Sequence, residues 1–173
     1  MTPKIYDLAK IVNKDNFSIG DFSQIDDFVF LNAGEGTEIG RFVHIASFCS
    51  IIGGGRFIME DFSGLSSGCR IVTGSDDFSG GALTNPTVPS IYTNVTKNTV
   101  HLKRHAILGT NVTVLPGVII GEGAAVGAGA IVRKNLLPWT IYAGFDCRPI
   151  KNRPRENIMR LEGELFKSLG LVC

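Results

Sequence analysis

From residue 102 the chain repeats every six positions: LKRHAI, LGTNVT, VLPGVI, IGEGAA, VGAGAI and VRKNLL. The first place is always Leu, Ile or Val (Leu102, Leu108, Val114, Ile120, Val126, Val132). The fifth is small in the first five units (Ala106, Val112, Val118, Ala124, Ala130). Fourth places include Asn111, Gly117, Gly123 and Gly129, residue types that tolerate a left-handed backbone. A period of six is neither helical nor plainly that of a strand. It fits a short strand and a tight corner, repeated, with one aliphatic and one small residue turned inward from each flat side. A β-sandwich of ordinary hairpins would not hold a strict six-residue count over so long a run.

The period is also present earlier. IGDFSQ, IDDFVF and LNAGEG cover 19–36, IGRFVH, IASFCS and IIGGGR cover 39–56, and MEDFSG, LSSGCR and IVTGSD cover 59–76. Two-residue slips at 37–38 and 57–58 interrupt the register. A stretch over 77–95, rich in Gly, Asn, Pro and Ser, breaks it, and TKNTVH at 96–101 resumes it, giving sixteen units in all. The chain has 21 glycines in 173 residues, and their excess is concentrated at second and fourth places and in the slips and loop, so it marks corners and not flexibility.

Charge and hydropathy narrow the function classes. Lys+Arg number 17 against 16 Asp+Glu, a net charge of +1 that gives no global field toward nucleic acid or an anionic membrane. Charged residues at 19% and hydrophobic ones at 44% exclude disorder. The opening MTPKIYDLAKIVNKDNF has no apolar signal-peptide core, and no apolar run is long enough to insert into a membrane, so a cytoplasmic protein is expected. Cysteines at 49, 69, 147 and 173 have neither zinc nor redox spacing and read as free thiols. The segment PRENIMRLEGELFKSLG reads as a helix, with Pro154 in its first turn, Gly170 as its stop, and an apolar stripe of Ile158, Leu161, Leu165, Phe166 and Leu169. The chain thus divides into a repeat part over 1–153, carrying the long loop 77–95, and a helical tail over 154–173. The tail is expected to pack on the repeat part or on a neighbouring subunit.

The [LIV]-G-x-x-[small]-x pattern over residues 19–153 resembles the hexapeptide-repeat acyltransferases, in particular the galactoside and maltose O-acetyltransferases and the nucleotide-amino-sugar acetyltransferases. The resemblance implies an all-β fold, a left-handed parallel β-helix of triangular section. Three hexads to a turn give about five coils, followed by the C-terminal α-helix. It also implies acetyl-CoA as cosubstrate, no required metal, a homotrimer with each active site between two subunits, and a sugar or nucleotide-sugar acceptor in surface polysaccharide or lipopolysaccharide biosynthesis.

Carried onto this sequence, the family's donor site falls on GTNVTVLPGVIIGEGAAVGAGAIV. Thr110 and Ala128 take the corner positions whose backbones hold the pantetheine arm, and Ile107 takes the flanking apolar position. Arg133, Lys134, Arg148, Lys151 and Arg153 resemble the cluster beside the 3′-phosphate, which needs charge-assisted donors. Phe145-Asp146 replaces the family's usual aliphatic-Pro pair.

The acceptor end departs from the sugar O-acetyltransferase pattern. Where that branch places a catalytic His after Thr-Gly, this chain reads IVTGSDD, and alignment back to IGRFVH puts Asp76 at the position. An ordinary Asp titrates near 3.9, a base weaker by about 2.6 units than His near 6.5. That loss matters for an alcohol acceptor and much less for an amine, whose ammonium the pair Asp76 and Asp77 could hold and deprotonate. His44 aligns with an acceptor-contacting aromatic, and as an outward sixth-place residue it is a candidate base and substrate contact. His101 is also sixth-place and is expected on the same side two coils away, about 10 Å from His44. His105, at a fourth place, is expected to be a solvated corner. The 77–95 loop is expected either to cap the acceptor pocket or to lock subunits together. Two other readings compete: a metalloenzyme similar to gamma-class carbonic anhydrases, which needs three His per zinc, and a non-catalytic hexapeptide-repeat scaffold.

Overall fold

The computed structural model describes residues 1–171. Cys173 lies outside them, whereas Cys49, Cys69 and Cys147 are buried free thiols. Each hexad is a two- to four-residue strand and a turn, and each strand pairs in parallel with its counterpart one coil away. The first side stacks Lys4–Ile5, Gln24–Ile25, His44–Ile45, Gly64–Leu65, Ile107–Leu108, Ala125–Val126 and Thr140–Ala143. Arg148–Asn152 closes this sheet antiparallel to Thr140–Ala143. The second side runs from Lys10–Val12 through Phe30–Asn32, Ser50–Ile52 and Arg70–Val72 to Thr113–Val114 and Ile131–Val132. The third holds Phe17–Ile19, Gly36–Ile39, Arg56–Met59, Val100–Leu102 and Ile119–Ile120.

The three sides therefore have seven, six and five parallel rungs, so the β-helix is about seven coils tall and not five. The excess comes from the ends. Ile5 and Ile11 start the hexads inside the N-terminal segment, and Thr140–Ala143 adds a last rung after VRKNLL.

The first places fill the core: Ile25, Ile45, Leu65 and Leu108 are fully or almost fully buried, as are Leu31, Ile51 and Ile71 on the second side. The two-residue slips lengthen the third-side strands Gly36–Ile39 and Arg56–Met59. Because strand side chains alternate with period two, an insertion of two keeps the inward face inward, and Thr37 and Phe57 join the core.

Most fourth places are left-handed, and in the N-terminal half five of them are phenylalanines: Phe22, Phe28, Phe42, Phe48 and Phe62 have φ of 57–65°. A non-glycine residue there is strained by about 1–2 kcal/mol. Stacking offsets the strain. Phe22, Phe42 and Phe62 lie ring on ring at 4.6 and 4.7 Å, and His105 continues the column at 5.0 Å. Such pairs contribute about 0.5–1.5 kcal/mol beyond burial. One coil further on, the fourth place is Gly123, and the Trp139 indole occupies the space beside it; a Cβ on Gly123 would sit 2.4 Å from that ring. With φ +64° as well, Gly123→Ala is expected to destabilise the fold by about 2–4 kcal/mol, read as a lowered melting temperature. A wild-type melt would show that Trp139 can leave without cost.

The helix Glu156–Leu169 lies on this aromatic corner. Phe166 packs against Phe42 and Phe62, and Gly170 ends the helix at φ 65°. The buried line is Glu162 and Phe166, flanked by half-buried Ile158 and Leu165; Leu161 and Leu169 of the expected stripe stay exposed. The loop leaves the β-helix between the second and third sides of one coil. Its base is the antiparallel pair Gly74–Ser75 and Thr96–Lys97.

Candidate active site

Outward residues on the first side stand in register, one per rung: Gln24, His44, Gly64, Ile107, Ala125 and Ile141. Between His44 and Ile107 the side chain is missing, because that rung carries Gly64. The result is a groove of about 450 Å³ whose lining includes Phe42 and Phe62, Ser66 and Ser67, and His44, Ile107 and Thr110.

His44 Nε2 lies 3.0 Å from Asp26 Oδ2, and Asp26 Oδ1 accepts a hydrogen bond from Gln24 Nε2 at 2.7 Å. Burial alone would raise the Asp26 carboxyl, but these hydrogen bonds and the His44 charge outweigh it and hold it below the usual carboxylate range. An ionised carboxylate only accepts, so His44 Nε2 is the donor and Nδ1 is the ring nitrogen not engaged by Asp26. With its side chain half exposed, His44 presents that nitrogen outside the core.

A second depression of about 320 Å³ lies at the root of the loop and is lined by Asp76, Asn85, Pro86, Ser90 and Thr93, among others. Asp77 does not line it. Its Oδ1 accepts from Ser79 N at 2.7 Å and from Ser79 Oγ, and its Oδ2 from Gly81 N at 3.1 Å; the Ser79 hydrogen bonds hold its carboxyl low. Asp77 thus orders the loop, and the two aspartates do not form the expected pair around one ligand.

His101 does not share a side with His44. The loop departs after the second side, so the chain re-enters on the third, and His101 pairs with Ile58 and Ile119 there. Its Nε2 lies 2.8 Å from Glu60 Oε1, which also accepts from Lys103 Nζ at 3.0 Å. His105 is not a solvated corner either. It is buried, stacked on Phe62, and in contact with Glu162, whose other oxygen meets Arg104. Burial, with Arg104 and Arg153 close by, pushes the imidazole down to about 4, so it is neutral and donates Nε2–H to a carboxylate already matched by Arg104.

Thr110 and Ala128 are exposed on successive rungs of the corner between the first and second sides, joined by the bond from Gly129 N to Thr110 O at 2.9 Å. Above them, Arg133, Lys134 and Arg148 line a depression of about 410 Å³ with Asp146 and Cys147. Asp146, the departure from the family ending, lies 3.6 Å from both Arg133 and Arg148. Lys151 is exposed on the terminal strand. Arg153 leaves the cluster: its Nη1 donates to the carbonyls of His105 and Gly123, both at 3.0 Å. Sequence reasoning missed Asp26, Gly64 and Ser66. The signal for Gly64 was present, as a glycine in an outward sixth place, where neighbouring hexads carry side chains.

The described residues contain no group of three or more His, Cys, Asp or Glu placed to hold a metal, and the three histidines point to three separate environments.

The bacterial transferase hexapeptide family (six repeats) matches residues 99–134. The dTDP-4-amino-4,6-dideoxy-D-glucose acyltransferase of Escherichia coli is 40% identical over 165 residues, 95% of this chain and 85% of that protein. AntD, an N-acyltransferase from Bacillus cereus solved with dTDP and 3-hydroxybutyryl-CoA, superposes with a TM-score of 0.86 at 40% identity, covering 96% of this chain and 87% of that one. Other solved forms of AntD carry substitutions at a serine and at an aspartate ten positions further on; two of the serine variants hold dTDP-4-amino-4,6-dideoxyglucose and coenzyme A. A maltose O-acetyltransferase from Clostridium difficile shares the fold, with a TM-score of 0.60 at 18% identity. The chain belongs to the hexapeptide-repeat transferase family. It is an acyltransferase.

Proposed function

We propose that the chain transfers an acyl group from coenzyme A to the amino group of a dTDP-linked 4-amino-4,6-dideoxy sugar, in the cytoplasm, for surface polysaccharide. The observation that carries this reading is Asp76. It stands where the alcohol-acylating branch has its histidine, and it lines a pocket beside the loop. A carboxylate there attracts the ammonium form of an amine and takes up its proton, which a sugar hydroxyl does not need. The relatives that share about 40% identity over nearly the whole chain act on, or are solved with, such sugars. Ser66 and Asp76 are ten residues apart, the spacing of the serine and aspartate replaced in AntD, and Ser67 and Asp77 repeat it; only the first pair has its carboxylate free of loop hydrogen bonds.

The donor's phosphates are assigned to Arg133, Lys134, Arg148 and Lys151, and its pantetheine arm to the Ala128 and Thr110 corners, beside Ile107. This path descends rung by rung into the groove. There the amine lone pair attacks the thioester carbonyl, the C–S bond breaks, and the leaving thiolate is protonated. His44, held by Asp26, is assigned the proton transfer: Nδ1 takes the amine's proton and delivers it to sulfur. The groove and the Asp76 pocket open at different corners of one chain, which supports a homotrimer whose neighbouring copy completes each site. Thiol release from acetyl-CoA with matched amino and hydroxyl acceptors tests the reading: amino sugars on dTDP should be consumed, and galactosides and maltose should not.

A further inference from the structure

We infer that Gly64 sets the size of the acyl group, and that its missing side chain is a notch for an acyl tail longer than acetyl. The inference rests on the acyltransferase reading of the groove, and it concerns the donor and not the acceptor.

Most glycines of the β-helix are required by packing. A Cβ on Gly109 would lie 2.8 Å from Ala128 N, and one on Gly53 would lie 2.2 Å from Gly74 N. Gly64 is different. Its backbone is in an ordinary strand conformation, and an added Cβ would meet only the His44 carbonyl oxygen, at 3.8 Å, an ordinary contact. The fold tolerates a side chain at this position, and a strand is weakened by lacking one. The glycine is therefore explained by what lies above it.

What lies above it is the centre of the groove. Gly64 occupies the rung between outward His44 and outward Ile107, so its missing side chain opens a gap one strand spacing high, about 4.8 Å. Phe42 and Phe62 wall the gap from one corner, and Ser66 and Ser67 stand at the other. The corner carrying Ala128 and Thr110 continues downward to this same Ser66–Ser67 rung, through the bond from Ser66 N to Leu108 O at 2.9 Å. A thioester lowered along that corner arrives beside the notch. Its carbonyl faces the serines, and its tail lies over Gly64 against the Phe42–Phe62 stack. Acetyl leaves the notch unfilled, whereas three or four carbons fill it.

The test measures kcat/KM with acetyl-, propionyl- and butyryl-CoA for the wild type, Gly64→Ala and Gly64→Val, using dTDP-4-amino-4,6-dideoxyglucose as acceptor. Calorimetric binding of the same three thioesters runs in parallel, and melting curves confirm that the variants are folded. The wild type is expected to use butyryl-CoA within about tenfold of acetyl-CoA or better, and Gly64→Val to shift the acetyl-to-butyryl ratio by about thirtyfold or more, with Gly64→Ala between them. Binding should follow the same order. An equal loss for all three donors, or no change in the ratio, would overturn the assignment. If the wild type acylates no amino sugar but binding still ranks the thioesters by length and loses that ranking in Gly64→Val, the notch stands and the acceptor reading fails.

Discussion

Asp76→Ala is expected to lower kcat/KM for acyl transfer to an amino sugar by about a hundredfold or more while acyl-CoA binds as it does to the wild type. The two halves of this expectation have separate causes. Asp76 lies in the loop-root pocket with Asn85, Ser90 and Thr93, whereas the donor path proposed above runs over Arg133, Ala128, Thr110 and Ile107, none of which lines that pocket. Removing the carboxylate removes the charge that attracts the ammonium and leaves every donor contact in place. Asp76→Asn keeps the shape and loses the charge, so it should be almost as poor. Asp77→Ala should act differently, through loss of loop order, because its oxygens are used by Ser79 and Gly81. Steady-state kinetics with donor binding measured separately distinguish these cases; wild-type turnover by Asp76→Ala would remove the residue from the mechanism.

The second large effect is on stability. Glu162→Ala should cost about 3 kcal/mol and loosen the C-terminal helix. Glu162 is the buried carboxylate against which Arg104 and His105 are set, under a layer made by Phe166, Phe42 and Phe62. Without it, Arg104 keeps only the longer contact to Asp61 at 3.6 Å and stands half-buried beside an aromatic corner. The same cluster gives the fold a pH dependence of defined sign. The His105 imidazole is held down to about 4, below its ordinary 6.5, so the unfolded chain binds its proton more readily than the folded one. Its contribution is complete above about pH 6.5 and is lost as pH falls toward 4. Denaturant melts across that window should show declining stability in the wild type and a flatter profile in His105→Phe, which keeps the aromatic column. A steeper decline in the variant would place the titration elsewhere.

The repeat was legible because it is a packing rule: an aliphatic at each first place and a small residue at each fifth can be counted directly. The left-handed fourth place was legible only where it is Gly or Asn. Phe22, Phe42 and Phe62 occupy it through stacking between coils, a contact between residues twenty apart that a six-residue count does not contain. The same limit explains His101 and His105. Hexad place predicts inward or outward, but the side depends on where the loop leaves the triangle, and a helix from the far end of the chain covers the His105 corner. The Asp26–His44 pair was not found because its partners come from adjacent coils. Asp76 stands out in the sequence because it breaks a pattern.

The most direct test of the central claim, that this acyltransferase is built for an amine, is a matched pair of acceptors. dTDP-4-amino-4,6-dideoxyglucose and dTDP-6-deoxyglucose differ only in the group at carbon 4. With acetyl-CoA as common donor, thiol release and product mass are followed for each. The amino sugar should react with kcat/KM at least about a hundredfold higher and give the amide, as the role proposed for Asp76 requires. Equal rates, or esterification of the hydroxyl sugar in preference to the amine, would contradict it.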